Sequence, residues 1–368
     1  MTKAAELAKM GEVMTNSHIS GRRNLIINGD FQCWQRGTSA TNAANNYLAD
    51  RFRTNESTSG TWTVEQSSDH PTGAGFSLKS QVTGADTSIS GGEYAYLHQN
   101  IEAQNLQGLN YGTSDAKDFT LSFWVKSNKT GTYCIVVRKF DNTTYHLVHE
   151  FSISSANTWE KKIITITPTA GSTSLITASA GAFDNNTGAG FQIGWILVMG
   201  SSLNGGTNNT WTSTTSHYAT TNQVNWMDST DNNFYLAQVQ LEIGSIATPF
   251  EHRSFGEELA LCQRYFYKTF PQGTDPATHV NEAIYHFQKV YSSNDTVTNF
   301  SLPVDMRADP TVVFYPGGST SGGSAGDNSY YDGSWKNGGT TLLSTQTSSA
   351  NISWVLNATS SMSLQQYN

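Results

Sequence analysis

The chain has 368 residues, of which 37% are hydrophobic and only 14% are charged, and its formal net charge is −8. An acidic balance without a basic stripe excludes the usual composition of a nucleic-acid-binding protein, and no stretch approaches the roughly 18 apolar residues of a membrane span. The 9 Trp, 16 Tyr and 17 Phe exclude a disordered chain. The length suits two or three domains, and aromatics among small polar residues favour short strands joined by turns.

Residues 1–23 form a segment of their own at the N-terminus. Leu7, Met10 and Met14 recur at helical spacing, which predicts a short helix. A helix this short is not stable alone, so we expect it to anchor the chain to sister copies or to another protein. A frayed terminus is the alternative. The segment has no continuous apolar region, and we therefore expect no secretory signal.

From residue 24 the apolar residues alternate with polar ones, which is typical of strands with one buried face. The pattern predicts strands at 119–126, 132–139, 145–153, 159–167, 191–199 and 234–243. Short strands separated by turn residues, with no helical segment between them, favour an antiparallel β-sandwich over residues 24–252. The long polar stretch from 200 to 231 contains Trp211, Tyr218 and Trp226, so we expect it to be ordered and packed on the sandwich.

The pattern becomes helical again at Ser254. Glu257 follows three residues later, and this spacing predicts a capping box that opens a helix within a linker at residues 253–267. Leu259 and Cys262 would lie on one face of this helix with Phe255. Residues 268–368 return to strand-like patterns and predict a smaller C-terminal β domain. The three cysteines, Cys33, Cys134 and Cys262, are far apart and odd in number, so we expect reduced thiols.

Two short patterns resemble the ends of a known fold. Residues 24–31 (NLIINGDF), followed by Trp34, are similar to the opening strand of carbohydrate-binding-module-like jelly rolls, and residues 234–242 (FYLAQVQLE) would be the closing strand. The resemblance implies an all-β jelly roll. Its closing strand usually carries paired aspartates where this chain has Ala237 and Gln238, so we expect no cofactor. Asp30 and Glu242 are the nearest acidic residues if a structural calcium ion is bound.

A wider set of motifs is similar to fibre and tail-associated proteins of tailed phages, especially those of marine bacteria. The set comprises WQRG at 34–37, LADRF at 48–52, FWVK at 123–126, QLEIG at 240–244, ATPFE at 247–251, ELALCQRY at 258–265 and the leader ELAKMGEVM at 6–14. This resemblance implies a virion component that is assembled in the host cytoplasm, is commonly trimeric and contacts the host surface. The N-terminal segment would then attach to other virion proteins.

Aromatic side chains on otherwise polar strand faces predict a ligand platform. Tyr94, Tyr96 and His98 share one face of an early strand, and Trp124 and Lys126 share a face of the strand at 119–126. Flat rings flanked by amides and charges suit a glycan, so we predict that these five residues bind host polysaccharide. The alternative is that a neighbouring subunit or the 200–231 stretch covers them.

Residue patterns typical of catalysis are missing from the sequence. There is no metalloprotease helix motif, no hydrolase nucleophile elbow and no phosphate loop. Glycoside hydrolysis requires two carboxylates facing one sugar, and nothing in the sequence pairs two. We therefore predict a binding protein without catalytic residues or a bound metal, most simply a tail fibre. A capsid decoration protein or head fibre, and a polysaccharide depolymerase, are the alternatives.

Overall fold

The structure is a computed structural model. It describes residues 3, 23–41 and 46–273, and shorter segments at 285–286, 302–308, 311–316, 328–331, 335–338 and 350–357. The predicted assembly residues Leu7, Met10 and Met14 lie outside these ranges. Two compact units are present, one of residues 1–32 and 39–253 and the other of residues 33–38 and 254–368. The segment that contains Trp34 therefore belongs to the C-terminal unit.

The first unit contains two six-stranded antiparallel sheets, which confirms the predicted antiparallel jelly-roll sandwich. Sheet A has the order β1-β3-β4-β12-β6-β9, with β1 at Ser39–Thr41, β3 at Thr61–Ser67, β4 at Ser77–Gly84, β12 at Asn233–Ile243, β6 at Phe119–Ser127 and β9 at Glu160–Ile166. Sheet B has the order β11-β8-β7-β10-β5-β2, with β11 at Thr210–Thr212, β8 at Tyr145–Ile153, β7 at Gly131–Lys139, β10 at Ala189–Met199, β5 at Tyr94–Glu102 and β2 at Arg53–Ser57.

Aromatic pairs join the inner faces of the two sheets. Phe123 on β6 meets Trp195 on β10 edge to face, with ring centroids 5.9 Å apart. Phe119 lies 5.4 Å from Phe191 with the ring planes tilted by 55°, and both rings are fully buried. Burying such rings supplies much of the free energy of folding, because each removes a large apolar area from water. The strand alternation thus places one face of β6 in the core, as predicted.

The predicted opening strand is irregular, which corrects the expectation from the resemblance. Residues 24–31 lie along β12, where the Leu25 amide donates to the Leu241 carbonyl at 2.9 Å and the Val239 amide donates to the Gly29 carbonyl at 2.9 Å. Between these bonds Asn28 adopts a left-handed conformation. The pairing of opening and closing segments is therefore present, but the backbone is too bent to form a ladder.

The second unit begins with the 254–257 capping box, which the structure confirms. Helix α1 spans Phe255–Gln263, with the Ser254 hydroxyl accepting from the Glu257 amide. Its Phe255 is 46% exposed, so the predicted apolar face is only partly buried. A six-stranded sheet follows, in which β18 (Ala350–Asn357) pairs with β13 (Phe266–Lys268), β14 (Tyr285–His286), β15 (Thr311–Pro316) and β16 (Asn328–Tyr331), and β16 pairs with β17 (Trp335–Gly338).

The three cysteines are buried and none is part of a disulfide, as predicted. Within the part of the chain that the structure describes, no helix has the length and apolar character needed to cross a membrane.

Candidate functional site

The five predicted ligand-binding residues lie on two different sheets. Tyr94, Tyr96 and His98 belong to β5 in sheet B, whereas Trp124 and Lys126 belong to β6 in sheet A. The two sheets pack through their inner faces, so these outward-facing side chains point away from each other. The prediction of a single platform is therefore wrong, because strand alternation reveals which side chains share a strand face but not which sheet the strand joins.

The outer face of sheet B is covered by the chain itself. Tyr96 is 5% exposed and lies in an apolar cluster with Val136, Val148 and Ile196, against which Leu203 and Tyr218 of the 200–231 stretch pack. The Tyr96 and Tyr218 rings are 5.9 Å apart. The prediction that this stretch is ordered is confirmed, since Trp211 and Trp226 are also buried. The covering stretch leaves Tyr96 without access to a glycan.

His98 is equally inaccessible, with 1% of its surface exposed. Burial, together with the positive charges of Arg53 and Arg138, lowers the pKa of His98 to about 3. The imidazole is thus neutral under ordinary conditions. The prediction that Tyr96 and His98 bind a ligand is corrected by their burial, and Tyr94 only packs on the edge of the same cluster.

Sheet A, in contrast, has a row of side chains across its outer face, and all of them are partly exposed except Lys126, which is buried at 8%. In the pairing register Glu65 on β3 stands opposite Lys79 on β4, Lys79 opposite Tyr235 on β12, and Tyr235 opposite Lys126 on β6. Trp159 directly precedes β9 and continues the row. We refer to Glu65, Lys79, Tyr235, Lys126 and Trp159 as the cross-strand row. Four inter-strand steps make it roughly 19 Å long.

Asp69 fixes two members of the cross-strand row. Its carboxylate accepts a hydrogen bond from the Trp159 indole at 3.1 Å and forms an ion pair with the Lys126 ammonium. That ammonium lies 4.4 Å from the Tyr235 ring centroid and 5.2 Å from the Trp159 ring centroid, distances at which a cation attracts an aromatic ring. Burial would raise the pKa of Asp69, but the hydrogen bonds from Lys126 and Trp159 outweigh it and lower the pKa.

The other end of the cross-strand row is also an ion pair. The Lys79 ammonium lies 2.8 Å from the Glu65 carboxylate. Burial would lower the pKa of Lys79, yet the hydrogen bond to Glu65 raises it, so the lysine stays charged. Burial raises the pKa of Tyr235, and the nearby Asp69 and Glu65 charges raise it further, so the phenol stays protonated and can donate. Each lysine of the row thus has its own acid, and the row is close to electrically neutral.

Trp124 extends the aromatic surface beside the cross-strand row. It lies two residues before Lys126 on the same face of β6, opposite Ala237 on one side and Lys161 on the other. Ala237 is small, and Trp124 and Trp159 are both only partly buried. Three partly exposed rings therefore lie beside charged and hydroxyl groups, an arrangement that binds by stacking and hydrogen bonding.

Sequence reasoning found Trp124 and Lys126 but missed Asp69, Trp159 and Tyr235. Trp159 and Tyr235 both fall in strands that the sequence predicted. Because Phe234 is buried, the alternation along β12 places the Tyr235 side chain on the outer face. Neither strand indicated that it would be a neighbour of β6. Asp69 is in a loop between β3 and β4, and only the folded chain brings it to β6.

The acidic residues considered for calcium already accept hydrogen bonds from neighbouring residues. Both Glu242 oxygens are occupied, since the carboxylate accepts from the Gln240 amide at 2.8 Å, from the Thr248 amide at 3.0 Å and from the Thr248 hydroxyl. Asp30 accepts from Gln32 at 3.0 Å. Among the described residues no three His, Cys, Asp or Glu side chains are grouped so that they could hold a metal ion.

A scan of family models finds no match, and no curated protein is significantly similar in sequence. Several solved structures are similar in fold. The enzymatically active domain of tailspike protein 4 of bacteriophage CBA120 shares 11% identity at a TM-score of 0.28, over 56% of this chain and 21% of that one. A family 16 carbohydrate-binding module shares 17% identity at a TM-score of 0.24, over 48% of this chain and 84% of that one. A putative sugar-binding protein from Bacteroides thetaiotaomicron shares 16% identity at a TM-score of 0.31, over 60% of this chain and 100% of that one.

The chain thus spans about a fifth of the tailspike domain. At these identities and scores the likenesses carry no information about ligands, which must come from the side chains of sheet A.

Proposed function

We propose that this protein binds a polysaccharide on the outer face of sheet A. The observation that supports this most directly is the cross-strand row, where Tyr235 and Trp159 flank Lys126 on a face that stays partly exposed. Ring faces bind the C–H patches of a sugar, and the flanking amine, carboxylate and phenol groups bind its hydroxyls. Since a row roughly 19 Å long crosses five chain segments, it suits an extended glycan rather than a single ring.

The charge balance of the face favours an uncharged glycan. Lys126 and Lys79 are each paired with an acid, so neither has its charge available for a polyanion. An anionic polysaccharide would also approach Asp69, whose side chain is 49% exposed. We therefore expect neutral polysaccharides to bind more tightly than those rich in uronic acids.

The same carboxylates argue for binding without cleavage. A glycosidase acid must carry a proton near neutral pH, which requires a raised pKa. On this face the pKa of Asp69 is lowered by its hydrogen bonds to Lys126 and Trp159, and Glu65 is paired with Lys79. We infer that the face holds its ligand and leaves it intact. A sugar-release assay tests this: reducing ends released by wild type would favour the depolymerase alternative.

Affinity electrophoresis against a panel of neutral and uronic-acid polysaccharides tests the binding proposal. Trp124→Ala and Trp159→Ala should each weaken retention by about tenfold, because each removes a stacking surface. Phe255→Ala is the matched control, since it removes an exposed aromatic ring from the other unit. If both tryptophan variants were retained as strongly as wild type and had the same melting temperature, the proposal would be contradicted.

We further propose that this binding serves attachment of a tailed phage to its host. The motifs from 34 to 265 that are similar to phage fibre proteins support this, and they favour a homotrimer assembled in the host cytoplasm, held in the virion by the segment 1–23. Labelled antibody on intact particles separates the candidates. Label at the tail tip is expected; label distributed over the head would favour the capsid decoration alternative.

A further inference from the structure

A cavity of about 430 Å³ opens at one end of the sandwich, between the loop that follows β5 and the loop that precedes β10. It is lined by Gln107, Asn110, Tyr111, Thr113, Asp115 and Phe183. The volume lies in the range of small-molecule sites, roughly 300–1,000 Å³. β6 begins at Phe119 beside this end and reaches Lys126 seven residues later, so the cavity is roughly 23 Å from the cross-strand row.

The floor of the cavity is aromatic and rigid. Tyr111 and Phe183 stack with ring centroids 5.4 Å apart and an angle of 13° between their planes. Phe191 and Trp211 meet the Tyr111 ring edge to face at 5.8 Å and 6.4 Å. Asn110, in a left-handed conformation, turns the chain immediately before Tyr111. Rings held on several sides cannot rearrange easily, so this floor is formed before any ligand arrives.

The Tyr111 hydroxyl is the unusual group at this floor. Tyr111 is 5% exposed, and its hydroxyl has no hydrogen-bond partner among the described residues. Buried hydroxyls are nearly always satisfied, because an unmade hydrogen bond in the interior is costly. Tyr111 lines the cavity, but its hydroxyl oxygen has almost no accessible surface, so a ligand can satisfy this donor only after a small shift of the loop at 110–115.

The rim of the cavity is polar and rich in acceptors. The Gln107 side-chain NH₂ donates to the Ala103 and Asp184 carbonyls, both at 3.0 Å, which holds the amide in place and leaves its oxygen as an acceptor. The Asp115 carboxylate is exposed and forms no ion pair with a described residue. A rim with a negative charge and free acceptors favours a ligand that offers several donors and no negative charge.

We propose that this cavity is a second carbohydrate site, which binds one uncharged sugar ring between the stacked Tyr111 and Phe183 and the Asp115 carboxylate. The sheet A face is an open row that suits the length of a chain, whereas this half-open cavity of about 430 Å³ suits a single ring such as a chain end. The inference goes beyond the proposed function and does not depend on it, because the two sites share no residue.

Titration of the methyl-labelled protein with methyl glycosides of glucose, galactose and mannose tests the proposal by NMR, with the Thr113 methyl group as reporter. At least one glycoside should shift this signal in a saturable way. Asp115→Asn should weaken that binding by about tenfold, since it removes the charge from a charge-assisted hydrogen bond. Tyr111→Phe, which removes one oxygen and keeps the ring, should weaken it severalfold while leaving the melting temperature unchanged or higher.

Trp124→Ala is the control that separates the two sites. It should leave the glycoside titration unchanged even where it abolishes polysaccharide retention, so failure of one proposal is distinguishable from failure of the other. Glucuronic acid, the anionic comparison, should bind more weakly than methyl glucoside. No shift with any glycoside, equal affinity in wild type, Asp115→Asn and Tyr111→Phe, or tighter binding of glucuronic acid would each overturn the second site.

Discussion

Asp69 is the residue on which the geometry of the sheet A face depends most. Its two carboxylate oxygens contact different partners, the Trp159 indole and the Lys126 ammonium. Lys126 in turn contacts the rings of Tyr235 and Trp159. A single loop residue therefore sets the positions of three side chains from three parts of the chain, and its removal should affect ligand binding more than stability.

Asp69→Asn tests this role. The amide oxygen can still accept from the indole, but the ion pair with Lys126 is lost, so we expect glycan affinity to fall by about tenfold with a change in unfolding free energy of less than about 1 kcal/mol. Isothermal titration with a retained polysaccharide measures the affinity, and urea unfolding measures the free energy of unfolding. Unchanged affinity would show that the cross-strand row does not need Asp69.

The pH dependence of the same variant has a definite sign. Because the pKa of Asp69 is lowered in the folded state, its contribution to stability is present above the unfolded value, about 3.9, and is lost as the pH falls through the folded pKa. The stability difference between wild type and Asp69→Asn should thus be constant from pH 7 to 5 and shrink below about pH 4.

His146 should produce a second acid-sensitive step. It is fully buried, and burial together with the Arg138 charge lowers its pKa to about 4. The Arg138 guanidinium donates to His146 Nε2 at 3.0 Å, so Nε2 carries no proton, and Nδ1 donates to the His217 carbonyl at 3.2 Å. A proton on Nε2 would break the bond from Arg138.

His146→Gln should therefore flatten the dependence of stability on pH. Between pH 6.5 and 4 the unfolded chain binds a proton that folded His146 does not, so the wild type should lose roughly 3 kcal/mol from this residue as the pH falls. The variant will be less stable at pH 7, but the quantity to compare is the slope of its unfolding free energy against pH. Urea unfolding at pH 7, 5.5 and 4.5 supplies it, with exposed His252→Gln as control; parallel slopes would contradict the assignment.

At the scale of elements, the segment 24–31 closes the first unit without forming a strand. It depends on a close approach to β12 at Gly29, where an added Cβ would lie 2.1 Å from the Val239 carbonyl oxygen. A Cβ cannot approach a backbone oxygen so closely, and this explains why a residue without a side chain occupies the position.

Gly29→Ala should consequently destabilise the first unit by about 3 kcal/mol, because either the 24–31 segment or β12 must shift. Gly92→Ala is the matched control, since an added Cβ there meets nothing within 4 Å. Thermal unfolding should show a lower midpoint for Gly29→Ala alone. Equal midpoints for both variants would mean that the segment is not fixed to β12 at this point.

The first unit combines an open outer face on sheet A with a covered outer face on sheet B. The 200–231 stretch covers sheet B through Leu203 and Tyr218, which leaves sheet A as the outer face with partly exposed rings. Single sites of this kind bind weakly, and joining several copies raises avidity without new contacts. A multimeric assembly would therefore make attachment efficient even if one face binds weakly.

We accordingly predict a trimer in solution. Light scattering of the full chain should give three times the 40.1 kDa of one chain, and removal of residues 1–23 should lower the mass if Leu7, Met10 and Met14 hold the copies together. Trimers that persist after the truncation would assign assembly to another part of the chain, and a monomeric full chain would contradict the avidity argument.

The sequence by itself determined what depends on neighbouring residues. Alternation along 119–126 identified which side of β6 is buried, and the Ser254 to Glu257 spacing identified the start of α1, because both patterns act within a few residues. Strand β2 was not predicted, since its short, polar sequence RTNES has little apolar alternation. Strands β3 and β4 were also missed, although Trp62 and Val64 of β3 do alternate with polar residues in TWTVEQS. Residues 24–31 have the sequence of a strand, but the left-handed conformation of Asn28 interrupts it.

Only the tertiary structure decided which faces became neighbours. Tyr96 and Trp124 have the same local signal, yet β5 joins sheet B and is covered by Tyr218, whereas β6 joins sheet A and is flanked by Tyr235 and Trp159. Sheet membership and register come from hydrogen bonds between strands far apart in the chain, and local periodicity contains no information about those partners. The site therefore follows from pairing, while the residues able to form it could be read from the sequence.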